Sequence, residues 1–169
     1  MNSKETEFLK QINDNKGILF KICKIYQDDT EDRNDLLQEM TLQLWLAFDS
    51  FRGESKFSSW MYRIALNTAI AFFKKQKRRP DDQNLPYDFD KAEEISRAGE
   101  EEEKLAMFYK AVQQLNKVEK ALIYLYMENQ SHEEIATHLG ITPVNARVRL
   151  SRIKDKLKEI TKKMNYEYR

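Results

Sequence analysis

The feature that most constrains this chain is an interruption. Two long blocks in which apolar residues return every three to four positions are separated by a stretch, Asp81 to Glu103, in which they do not. A period near 3.6 marks the buried stripe of a helix. The interrupting stretch holds ten acidic residues against two basic ones, with Pro86 and Gly99, and has too little apolar surface to join a core. In the first block, Phe8, Ile12, Leu19, Ile22, Cys23 and Tyr26 share one helical face. Leu37, Met40, Leu44, Ala47 and Phe48 share a second, and Trp60, Met61, Ile64, Ala65, Thr68, Ala71 and Phe72 a third that runs on to Pro80. Ser58 or Ser59 stands where it can cap that third helix. Four glycines and three prolines in 169 residues leave a sheet little turn chemistry to build on. The expectation is an all-α protein of two small helical domains, residues 5–80 and 104–163, joined by an acidic linker at 81–103. Such a linker reaches roughly 25 to 30 Å if coiled and about 80 Å if stretched, enough to separate two modules by more than one DNA turn.

The second block carries the more specific pattern. Leu105, Phe108, Val112 and Leu115 form one stripe, and Asn116 with Glu119 makes a capping box ahead of Leu122, Ile123, Leu125 and Tyr126. A second capping box, Ser131 with Glu134, opens a short helix bearing Ile135, Ala136 and Leu139. Gly140 breaks that helix, and Thr142 and Pro143 supply an N-cap and a first-turn proline for a final helix to about Leu157. Cap, small residue, glycine turn and capped basic helix in this order are the layout of a helix-turn-helix. Ile141, Val144, Val148 and Ala146 are expected to hold the second helix on the core. Thr142, Asn145, Arg147, Arg149 and Arg152 are then left at its exposed N-terminal end, as residue types that bond base edges and phosphates. An αα-hairpin with a solvated charged face is the plainer alternative, and the coincidence of all four features argues against it.

Charge adds direction where its total does not. The formal net charge is +1, but Lys74 to Arg79 is a basic cluster and the last thirty residues are rich in Arg and Lys. A basic, acidic, basic order suits two anion-binding modules on a tether. The aromatics ahead of the first cluster, among them Phe51, Phe57, Trp60, Tyr62, Phe72 and Phe73, are of the kind that stack on unpaired bases, though for those on the apolar stripe core packing is the simpler role. Cys23 is the single cysteine, so no internal disulfide can form; a reducing cytoplasm fits, and an inert buried thiol is expected. No stretch approaches the roughly 20 apolar residues of a membrane span, so no membrane insertion is expected. His132 and His138 are six apart, without a third ligand in view, and read as surface histidines. With no nucleophile and base, no carboxylate pair and no metal set, the expectation is no enzyme, no cofactor and no metal.

Three segments together resemble the extracytoplasmic-function class of bacterial sigma factors in the sigma-70 family: DLLQEMTLQLW at Asp35 to Trp45, FRGESKFSSWMYRIALN at Phe51 to Asn67, and SHEEIATHLGITPVNARVRLSRIKDKL at Ser131 to Leu157. The resemblance implies a factor that binds core RNA polymerase and directs promoter recognition, promoter opening and transcription initiation. Asp35, Gln38, Glu39 and Gln43 match the helix that docks on the polymerase clamp. Arg52 and the rest of the loop to Ser59, with Trp60, Arg63 and Asn67, match the segment that opens the −10 element and holds a flipped base, and Lys74, Lys75, Lys77, Arg78 and Arg79 would follow the backbone there. Thr142, Asn145, Arg147, Arg149 and Arg152 would read the −35 element as duplex. An anti-sigma factor is implied as a further partner. One departure stands out: family members usually carry a Gly-Thr-Val-Lys-Ser-Arg type sequence where this chain has Val144 to Arg149.

Two other readings compete. In one, the helix-turn-helix belongs to a dimeric regulator that binds a palindromic operator without being a polymerase subunit; in the other, an adaptor uses the Asp35 helix and reads no DNA. Under the sigma reading, the free protein is expected to fold its domains against each other or against an inhibitor, hiding the DNA surfaces.

Overall fold

The computed structural model describes residues 2–76 and 99–167, and all regular structure among the described residues is helical. The first unit has three helices. α1 (Ser3–Tyr26) opens on a capping box of Asn2 and Glu5, and α2 (Thr30–Ala47) on Asp29, whose carboxylate accepts from the Glu31 and Asp32 amides. A 3-10 turn (Phe48–Ser50) and a loop through Gly53, at φ 73°, lead into α3 (Phe57–Gln76). Ser58 and Ser59 fall inside the first turn of α3, where the amides of Ser59 and Trp60 bond the Lys56 carbonyl; neither serine precedes the helix as a cap.

The second unit comprises α4 (Glu100–Gln113), α5 (Lys117–Met127), α6 (His132–Leu139) and α7 (Pro143–Glu167). Glu100 to Glu103 form the first turn of α4, where carboxylates complement the helix dipole; the rest of the acidic stretch lies outside the described residues, apart from Gly99. Both expected capping boxes are present, Asn116 with Glu119 and Ser131 with Glu134. Gly140 ends α6 in the left-handed region at φ 67°, and Thr142 Oγ1 accepts from the Asn145 amide at the start of α7. α7 runs ten residues past Leu157.

Several stripes differ in register from the sequence expectation, and packing supplies the reason. On α2 the core line is Leu36, Met40 and Leu44, each fully buried, while Leu37 is only partly buried. On α3 the buried residues are Phe57, Met61, Tyr62, Ala65, Leu66 and Ala69, with Trp60, Ile64 and Phe72 partly buried and Ala71 exposed. That helix packs on α1 and α2 and also meets α5 and α6 of the second unit, so its apolar arc is wider than one stripe. α5 is buried almost all round from Lys120 to Leu125, which puts Tyr124 inside and leaves Tyr126 exposed beneath the Lys154 ammonium. Leu105, expected on the α4 stripe, is exposed. Each fully buried Leu, Ile or Met contributes about 1.5–3 kcal/mol.

The two units pack against each other. The Tyr26 hydroxyl donates to the Lys117 carbonyl at 2.6 Å, and Gln113 Nε2 donates to the Ile25 and Lys24 carbonyls near the end of α1, at 2.9 and 3.2 Å. The two Gln113 bonds reach carbonyls in the last turn of α1, which have no partner within that helix. Lys120, 2% exposed, donates to Gln113 Oε1 at 3.1 Å and lies 5.7 Å from the Tyr26 ring centroid. Burying an ammonium is costly unless its protons are bonded, so Lys120 ties this seam to one geometry.

Candidate nucleic-acid and polymerase interfaces

α7 presents three kinds of surface. Ala146, Leu150, Ile153 and Leu157, at offsets of four, three and four, are buried. Val144 and Val148, expected to anchor the helix, are instead 60% and 40% exposed. At about 100° per residue, Val144 and Val148 lie roughly 160° from Ala146 on opposite senses of rotation, so the register that buries Ala146 turns both valines outward. The expected role of Ala146 in the core holds. Ala136 of α6 is buried as well, so small residues stand on both helices of the motif.

Thr142, Arg147, Arg149 and Arg152 are exposed and Asn145 partly so. The geometry divides their work. Thr142 Oγ1 and Asn145 Oδ1 already accept bonds within the helix, the first from the Asn145 amide and the second from Arg149 Nε at 2.8 Å. Arg149 is thereby held by its neighbour, whereas Arg147 projects without such a bond among those described. The first turn of α7 contains no acidic residue, in contrast to α4 with four glutamates and α6 with Glu133 and Glu134. A helix start without carboxylates keeps its free N–H groups available to an anion such as phosphate.

In the first unit, Asp35 and Gln38 are exposed on α2, and Glu39 and Gln43, partly buried, are joined by a 3.0 Å bond from Gln43 Nε2 to Glu39 Oε1. Beside Gln38 opens an apolar groove of about 660 Å³ between α1 and α2, lined by Phe8, Leu9, Leu37, Leu42 and Trp45. Leu42 is 48% exposed. The family resemblance points to polar residues of α2 and gives no sign of Leu42 or the groove, because an exposed leucine has no signature of its own in a helix where Leu37 fits the period as well as Leu36 does.

The loop between the 3-10 turn and α3 is braced by rings. Trp60 lies 5.3 Å from both Phe51 and Phe57 and 6.3 Å from Phe48, so its described role is to hold the loop that carries the exposed Arg52. Arg63 and Asn67, one turn apart on α3, are exposed. Lys74 and Lys75 fall in the last turns of α3; Lys77, Arg78 and Arg79 lie outside the described residues. The seam between the units therefore covers Tyr62, while Arg63, Asn67, Arg147, Arg149 and Arg152 are exposed. His138 is also part of this seam and not a surface histidine: its ring lies 5.9 Å from that of Tyr62, and burial lowers its pKa from 6.5, with Glu134 opposing and Arg63 reinforcing the shift. Cys23 is buried, and its thiol is pushed up to about 11 by burial, with the Arg33 charge opposing, so it is an unreactive core residue.

Comparison with known proteins places these surfaces in a family. The model of Sigma-70 region 2 matches residues 12–79, and that of Sigma-70, region 4 matches residues 105–157. The RNA polymerase sigma-H factor of Pseudomonas aeruginosa is 31% identical over 138 residues, covering 75% of this chain and 72% of that protein. The ECF RNA polymerase sigma-E factor of Escherichia coli K12 is 49% identical over 49 residues, a match that spans 29% of this chain and 26% of that protein. Among solved structures, the sigma factor RpoE in complex with the anti-sigma factor NepR from Bartonella quintana aligns over 94% of this chain and 96% of that one, with a TM-score of 0.68 at 21% identity. CnrH in complex with the cytosolic domain of CnrY aligns over 92% and 88%, with a TM-score of 0.65 at 19% identity. Those two structures establish a shared fold. With both sigma-70 regions matched in order and a sigma factor aligned over most of its length, the chain belongs to the sigma-70 family of RNA polymerase sigma factors, in its extracytoplasmic-function class.

Proposed function

We propose that this protein acts as a non-catalytic initiation factor in the cytoplasm, bringing core RNA polymerase to promoters through surfaces carried by its two helical units. The observation that carries this reading is that the exposed faces of α2 and α7 are open at the same time while the seam between the units is closed. In this scheme Asp35, Gln38, Glu39 and Gln43 of α2 contact polymerase, and Gln38, with Glu5 and Thr41, borders the groove at Leu42, an apolar centre with a polar border suited to a stable protein contact. Residues 5–80 dock on polymerase and open the −10 element, with Arg52, Arg63 and Asn67 on the melted strand, Trp60 bracing the loop, and Lys74, Lys75, Lys77, Arg78 and Arg79 along the backbone. Extruding a base costs a few kcal/mol of unstacking, which contacts in the protein must offset. Residues 104–163 read the −35 duplex through Thr142, Asn145, Arg147, Arg149 and Arg152, and residues 81–103 tether the two.

Docking on polymerase must separate the units for both elements to be reached, so the polar seam from Tyr26 to Glu128 opens on assembly. An anti-sigma partner fits the same scheme, since the aligned sigma factor RpoE was solved with the anti-sigma factor NepR bound. The test is run-off transcription from a genomic library with purified core polymerase. New start sites that require this protein support the reading; unchanged start sites, together with failure to co-purify with polymerase, overturn it. A dimeric regulator would instead bind a palindromic duplex on its own, with half-sites about 34 Å apart.

A further inference from the structure

The outward face of the recognition helix carries two aliphatic side chains that the sequence pattern assigned to the core. Val144 and Val148 are exposed, one helical turn apart, on the side of α7 directly opposite Ala146, Leu150 and Ile153. The same end of the helix bears Arg147, Arg149 and Arg152, all exposed, and has no acidic residue in its first turn. In a helix-turn-helix, the side of the second helix facing away from the core is the side that enters the major groove. Polar groups are the usual residents there because they bond base edges, and an exposed valine gains nothing from water. In the major groove a β-branched methyl pair has one natural counterpart, the C5-methyl of thymine, which is the only apolar group the bases present there.

We infer that Val144 and Val148 read thymine methyl groups in the upstream promoter element, so that this factor selects A·T pairs there by apolar contact while Arg147 and Arg152 supply phosphate and guanine contacts. The inference rests on the proposal that residues 104–163 read duplex DNA at −35. Two features of α7 favour DNA as the occupant of this face over a protein surface. The valines are flanked by cations on both sides, which suits a polyanion, and the exposed Arg149 is held by the 2.8 Å bond from its Nε to Asn145 Oδ1. The two valines stand about 6 Å apart along the helix axis, close to two base-pair steps, so the thymines they contact are adjacent or next but one.

The experiment uses full-length protein with core polymerase on a promoter whose upstream element is first located by footprinting. Each thymine in that element is then replaced by deoxyuridine, which removes the methyl group and leaves the hydrogen-bonding edge intact. Wild-type holoenzyme is expected to lose about fourfold in affinity at one or two thymine positions, the value of one buried methyl. Val144→Ser and Val148→Ser lie on the surface and leave the fold in place, checked by an unchanged thermal unfolding midpoint; each is expected to erase the deoxyuridine penalty at one position while transcription from the thymine promoter persists at reduced level. A flat deoxyuridine scan with a clear upstream footprint overturns the methyl contact and leaves the sigma reading standing. A serine variant that keeps the full penalty overturns the assignment to these valines. No upstream footprint at all overturns both this inference and the reading on which it rests.

Discussion

The Tyr62 hydroxyl donates a 3.2 Å hydrogen bond to the Glu128 carboxylate across the boundary between the two helical units. The other oxygen of Glu128 takes Lys21 Nζ at 2.9 Å, so one carboxylate joins α1, α3 and the end of α5. Burial and the Glu128 charge push the Tyr62 phenol up to about 12, which keeps it protonated and donating at any physiological pH.

Tyr62→Phe removes that bond and keeps the ring packed 6.0 Å from Tyr124. Bonds to charged groups contribute about 1.5–3 kcal/mol, and partial exposure of Glu128 brings the expected loss to about 1 kcal/mol. Energy transfer between dyes on the two units should report a larger separated fraction in the variant. A distribution identical to wild type would mean that the seam is held by its apolar contacts alone.

Acid should weaken the same seam. The His138 pKa is lowered from 6.5, first by burial and then by Arg63, with Glu134 opposing and the Tyr62 ring beside it. Above 6.5 the ring is neutral folded and unfolded, and its contribution is complete; as pH falls below that value the unfolded chain takes the proton first, and stability is lost down through the folded pKa. Thermal unfolding from about pH 7.5 to about pH 5.5 should therefore fall more steeply in wild type than in His138→Gln, the difference isolating this group from the carboxylates. Parallel curves would refute the assignment.

Leu36 and Leu42 lie six residues apart on α2 with opposite fates. Leu36→Ala, at a fully buried position, should cost about 2–5 kcal/mol of stability. Leu42→Ala should change stability by less than about 0.5 kcal/mol and weaken binding to core polymerase severalfold, measured by titration of labelled protein. Equal effects of the two variants on unfolding would show that the groove is closed in solution.

Arg147→Ala and Asn145→Ala separate direct contact from support. The first should weaken upstream duplex binding and reduce the salt slope by about one. The second releases Arg149 and should weaken binding through that residue, so that Asn145→Ala adds little to Arg149→Ala in a double-mutant cycle. Full additivity would show that the bond does not matter on DNA. For the holoenzyme as a whole, neutralising roughly six to ten phosphates should lower affinity by about 10³–10⁵ between about 50 and 200 mM salt.

Gly140 is a purely conformational site. It sits at φ 67° with open space where a Cβ would project, so Gly140→Ala should cost about 1 kcal/mol through backbone strain alone and leave the exposed face of α7 unchanged. Chemical denaturation reads the loss directly.

Local chemistry was legible from the chain by itself. The capping boxes at Asn116 and Ser131, the left-handed Gly140 and the Thr142 cap are set by residues within a few positions of one another, because a cap or a turn is satisfied by its own neighbours. The all-α class and the position of the helix-turn-helix followed from the same short-range terms, and the ordered segments at Asp35, Phe51 and Ser131 sufficed for the family likeness.

Which side of each helix faces inward was decided only in three dimensions. Val144 and Val148 satisfy a helical period as well as Ala146 and Leu150 do, and Leu37 as well as Leu36; the choice belongs to the facing helix, which can bury one arc and not the other. The same holds for the seam: Tyr62, Lys120 and Glu128 have no common pattern in sequence, since their partners are far away along the chain, with Tyr62 reaching Glu128 across 66 positions. Short-range rules fixed the helices and their ends; the packing of helix on helix and of one half on the other fixed which residues are core, which are seam and which are exposed.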